Sequence, residues 1–100
     1  MPKDVDEGFY GRADEHIHLS NDQLAKEPGR GKVSASTLYG ASRFNAWVSA
    51  CSFASGEKMA KAREETVDYF VEQYRLMLEE NLDDYIANFS SHMQVRNGDA

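Results

Sequence analysis

"EETVDYFVEQYRLMLEENLDDYIANF", residues 64–89, decides the fold class. Val67, Phe70, Val71, Tyr74, Leu78, Leu82, Tyr85, Ile86 and Phe89 follow one another at steps of one, three and four. At 100° per residue these positions make one apolar stripe of an α-helix. Glu65, Asp68, Glu72, Arg75, Glu79 and Asp83 occupy the opposite side and solvate it. A helix running from residue 57 to 89 would approach ~50 Å at ~1.5 Å per residue. The two segments before it are each nearer ~30 Å by the same rise. The third helix is therefore expected to bend, near Asn81–Asp84, or to project beyond its neighbours. The tail after it, residues 90–100, reads as frayed.

Upstream lies "VSASTLYGASRFNAWVSACSFASG", residues 33–56, in which Arg43 is the single charge. With six serines, Thr37, Asn45 and Arg43 it is too polar to span a bilayer. Read as a helix over 35–55, it has Ser34 as N-cap and a Val33–Leu38 staple. One side carries Leu38, Ser42, Asn45, Ser49 and Phe53, and the other Phe44, Trp47, Val48 and Cys51. Both sides are apolar or small, so the helix is expected to be covered on more than one face.

The first segment, 5–26, places Phe9, Ala13, His16, Ile17, Ser20 and Leu24 in one arc. Breakers cluster in "EPGRGK", so residues 27–34 read as a loop. The expected architecture is all-α, a single domain over 1–100: a three-helix bundle with a long or bent third helix. Three helices leave Phe44 and Trp47, and the end of the third stripe, without cover. The bundle is therefore expected to form a homo-oligomer, with Phe44, Trp47, Val48, Cys51, Tyr85 and Phe89 at the interface.

The whole chain has 100 residues, 41% of them hydrophobic, with 11 aromatics and two prolines, which fits one globular domain. A net charge of −6 argues against nucleic acid and against an anionic membrane surface. The single Cys51 has no intrachain disulfide partner and reads as a small buried hydrophobe. The first residues lack the apolar stretch of a signal peptide, which points to the cytoplasm.

Three stretches, "GFYGRADEHIHLSNDQ" (8–23), "VSASTLYGASRFNAWVSA" (33–50) and residues 64–89, together resemble a family of short proteobacterial proteins catalogued as a domain of unknown function. The motifs that carry the resemblance are F-Y-x-R-A-D and R-F-N-A-W, and it spans about Phe9 to Phe89. It implies a small bacterial cytoplasmic protein and supplies no activity, cofactor or catalytic residue.

Few residues suggest chemistry. Glu15 and His18 stand at i and i+3, the spacing by which helical bundles present metal ligands. They point away from the apolar arc of their helix, so a solvated face is the better reading. His16, on the arc's edge, reads as a hydrogen-bonded core-edge histidine. Arg30 and Lys32 stand near a helix start, a weak and general anion site. They do not belong to a P-loop, which would need glycine where Lys26 stands and Ser or Thr where Val33 stands. Arg43 is expected to pair with an acid, Asp14 or Asp68, with Asn45 bonding across helices. Alternatively Tyr39, Arg43, Asn45 and Trp47 line a small-molecule pocket. No nucleophile adjoins a base, and nothing in the sequence requires a cofactor. The function expected is a non-enzymatic helical module that binds itself or another protein. The alternative is a small enzyme or ligand-binding protein with a pocket around Arg43.

Overall fold

The structure is a computed structural model and describes residues 5–26 and 29–98, with side chains through Met93. It is all-α, and among the described residues there are five helices rather than three. These are α1 (Phe9–Lys26), α2 (Arg30–Ala50), α3 (Gly56–Lys61), α4 (Arg63–Ala87) and α5 (Phe89–Gly98). They form two units, residues 5–62 and 63–98 of those described.

In the first unit, α1 begins at Phe9, after a turn in which the Phe9 amide bonds to the Asp6 carbonyl at 3.1 Å. The Arg12 guanidinium reaches back to the Asp6 carboxylate at 2.8 Å and fastens that turn. α2 starts at Arg30, earlier than expected. Gly29, at φ 151°, makes the reversal that a Cβ would resist, and its carbonyl accepts the Lys32 and Val33 amides. Ser34 is thus inside the helix and does not cap it. Residues 27 and 28 of the expected loop lie outside the described residues, as do the last two of the expected tail. α2 leaves its helical path at Cys51, and the next start is capped by Ser55, whose hydroxyl accepts the Lys58 amide at 3.2 Å.

α1 and α2 meet near their connection. The Ser20 and Thr37 hydroxyls lie 3.0 Å apart, and Thr37 spends its proton on the Val33 carbonyl at 2.9 Å. Ser20 is therefore the donor between the helices. Val33 is the single buried residue among those described, with Leu24 and Ser20 half-buried nearby. Of the expected α1 arc, Phe9, Ala13, Ser20 and Leu24 are half-buried, whereas His16 and Ile17 face solvent.

In the second unit α4 runs unbroken through Asn81–Asp84, where a bend was one of the two expected alternatives. The interruptions fall instead at Ala62, before α4, and at Asn88, after it. At Asn88 the hydrogen bonds remain helical: its amide bonds to the Asp84 carbonyl at 2.9 Å, and the His92 amide bonds to the Asn88 carbonyl at 3.0 Å. The chain therefore resumes at once as α5, through much of the segment expected to fray.

Candidate interaction surface

What covers α2 is answered by its exposure. Thr37 touches α1, and Phe44 lies seven residues on, within about 20° of the same face. Phe44 is nonetheless 62% exposed, so α1 does not reach it. A Cβ at Gly40 would meet nothing within 4 Å, which shows the same open face half-way between them. Trp47 is also 62% exposed and stands beside Phe44, with ring centroids 5.8 Å apart and planes at 32°. Tyr39 and Val48 are exposed as well. Cys51, expected inside, is exposed.

α4 carries its apolar stripe in the open. Val67, Val71, Tyr74, Leu78 and Leu82 are all exposed, and the stripe continues through Tyr85 to Phe89 at the start of α5. Each residue named above as an interface candidate is thus on the surface of the single chain.

The charged residues are solvated, not buried. Arg43 is exposed and has no ion-pair partner within its own unit, so the expected pairing with Asp14 is absent. The reason is that a cation in water needs no counter-charge. Asn45 is half-buried; its main-chain carbonyl accepts the Ser49 hydroxyl at 2.9 Å, and its side chain makes no hydrogen bond across helices among the described residues. Of the expected pocket, Tyr39, Arg43 and Trp47 share one face of α2, but Asn45 lies some 160° around the helix from Arg43. An open groove of about 260 Å³ lies elsewhere, lined by Gln23, Lys26, Lys32, Val33 and Ser36. Of the anion candidates it includes Lys32 alone. Glu15 and His18 are exposed, and no group of three or more potential ligands gathers around a point among the described residues.

Two polar clusters fix local turns. The Arg12 hydrogen bond holds the Asp6 carboxyl below its usual value of 3.8. In the second unit the Asp84 carboxylate accepts from the Asn88 amide nitrogen at 2.9 Å and meets His92 Nε2 at 3.0 Å. The His92 ring stacks on Tyr85 at 4.4 Å. The sequence reading passed over this clasp, although its signal is legible: Asp84, Asn88 and His92 stand at steps of four, on one side of a helix.

The chain belongs to the family described as "Protein of unknown function (DUF3144)", whose match spans residues 9–86. An NMR structure of the protein NB7890A from Shewanella sp. is similar to it, with 38% sequence identity over 91% of this chain and 96% of that one and a TM-score of 0.74. No curated protein matches the chain. No described helix is long and apolar enough to cross a membrane.

Proposed function

We propose that this member of the family is a helical assembly module, without chemistry of its own, that joins a second copy of itself through the open faces of α2 and α4. The observation that carries the reading is the exposure of Phe44 and Trp47 together with the α4 stripe. Isolated surface apolar residues are ordinary, but contiguous patches of this length mark binding surfaces. A pocket around Arg43 has less behind it, because Asn45 lies on the other side of α2 from Tyr39, Arg43 and Trp47, which stand exposed. The exposed, unpaired thiol of Cys51 supports a reducing compartment, and we place the protein in the cytoplasm.

Light scattering on the purified chain over a dilution series tests the assembly. A species near twice 11.3 kDa that dissociates on dilution is expected. A monomer at every concentration would overturn self-association.

A further inference from the structure

The faces that meet can be identified from their charges; this step rests on the self-association proposed above. α2 carries Arg30, Lys32 and Arg43 and no acid. α4 carries eight acids and two arginines, a net of −6, equal to the net charge of the whole chain. Laying α4 on a second α4 brings two acidic edges together, and α2 on α2 brings two basic ones. Only α2 against α4 of the other copy is attractive.

The spacings agree as well. The α4 stripe advances by 4, 3, 4, 4, 3 and 4 from Val67 to Phe89, so that Val67 recurs as Leu78, Val71 as Leu82 and Tyr74 as Tyr85. This is an eleven-residue period, about 3.67 residues per turn, and it keeps a seam nearly straight along a helix. On α2 the exposed residues Lys32, Ser36, Tyr39, Arg43, Trp47 and Ala50 advance by 4, 3, 4, 4 and 3, the same period. Lys32 and Arg43 are thus eleven residues apart on one face. On the charged side of α4 acids repeat at that interval too: Asp68 with Glu79, about 90° round from the stripe's centre, and Glu72 with Asp83 farther round. Two cations about 16 Å apart face acids about 16 Å apart. The lengths match at 21 and 25 residues.

We infer that two copies associate reciprocally, the basic aromatic face of α2 in each seated on the acidic-edged apolar stripe of α4 in the other. Trp47 and Tyr39 supply the apolar contact, and Lys32 and Arg43 set the register.

The test is a charge swap on the full chain. One variant carries Lys32→Glu and Arg43→Glu, the other Asp68→Lys and Glu79→Lys. All four positions are exposed, so both variants retain wild-type helicity by circular dichroism. Each alone dimerises at least about tenfold more weakly than wild type, since both of its contacts then oppose like charges. Mixed in equal amounts they form a heterodimer, resolved by native mass spectrometry, in which both contacts are restored. A wild-type dimer whose variants do not rescue each other on mixing overturns the reciprocal pairing while leaving self-association intact. A dimer that tightens as salt rises from 50 mM to 1 M likewise overturns it, because screening would then be relieving repulsion. A wild-type chain that is monomeric throughout, in which Arg43→Glu is repaired only by Asp68→Lys in the same chain, overturns both readings.

Discussion

Replacing Trp47 by alanine separates a residue that holds the chain together from one that holds two chains together. A tryptophan presents roughly 250 Å². At 62% exposure, roughly 150 Å² of it remains open in the single chain. Truncation to alanine removes roughly 100 Å² of that open surface, worth about 2.5 kcal/mol at ~25 cal/mol per Å² if the partner covers it fully. A two-fold dimer loses the contact twice, about 5 kcal/mol, which weakens Kd by between roughly 10³ and 10⁴. The dissociated chain should hardly notice, since exposed substitutions generally stay within about 0.5 kcal/mol. A tryptophan in the chain's own core would behave in the opposite way, costing about 3–5 kcal/mol of unfolding free energy. Sedimentation equilibrium reads the first quantity, and thermal unfolding below the dissociation constant reads the second. An unchanged Kd refutes the assignment, and so does a variant monomer that melts ten degrees or more below wild type.

Val33→Ala tests the one buried contact: the loss of two methyl groups should cost about 1–2 kcal/mol in denaturant unfolding, whereas Leu82→Ala, on the open stripe, should leave the monomer within about 0.5 kcal/mol. Asp6 should give α1 an acid-sensitive start. Its carboxyl is lowered in the folded chain, so the stabilisation is full above the usual value of 3.8 and is lost as pH falls through the lower folded value. Amide exchange at Phe9–Arg12 should therefore be slower in wild type than in Asp6→Asn at pH 6, and equal in the two at the lowest pH. An offset that persists there contradicts the assignment. His92→Ala removes both the Asp84 contact and the Tyr85 stack, and backbone chemical shifts of 89–93 should move toward coil. Unchanged shifts would mean that the helical bonds across Asn88 suffice alone.

The helices were legible because apolar spacing of three and four survives any arrangement of partners. Their interruptions were not. Ala62 is a good helix former, and Asn88 is flanked by nothing that forbids a helix, so neither announces a turn. Gly29 and Gly31 read together as a loop, whereas the structure needs only Gly29 for the reversal and carries Gly31 in the first turn of α2. The errors at Arg43 and Cys51 share one cause. Both followed from reading apolar neighbours in sequence as burial; a buried arginine demands an acid, and a buried thiol is inert. On an open helix neither inference holds. Phe44 and Trp47, read as left over by the chain's own helices, are exposed in the structure.

The composition of α2 ties stability to assembly. Its 21 residues include four serines, two glycines, a threonine and an asparagine, all poor in helix interiors, and it has no side-chain cap at its start. Having no acid, it can form no ion pair with its own cations one turn away. Helices generally draw most of their stability from a covered face, and α1 covers α2 only near Val33. In the proposed assembly the remainder comes from the second copy. For a dimer, each tenfold rise in chain concentration adds about 1.4 kcal/mol per dimer, or about 0.7 per chain. At roughly 4–8 °C per kcal/mol for a domain of this size, the melting temperature should climb by about 3–6 °C per decade of concentration. Amide exchange in α2 should slow in parallel, most of all beyond Thr37, where α1 gives out. A melting temperature that does not vary over two decades would mean that α2 is stable with its face bare, and the link between folding and assembly would be broken.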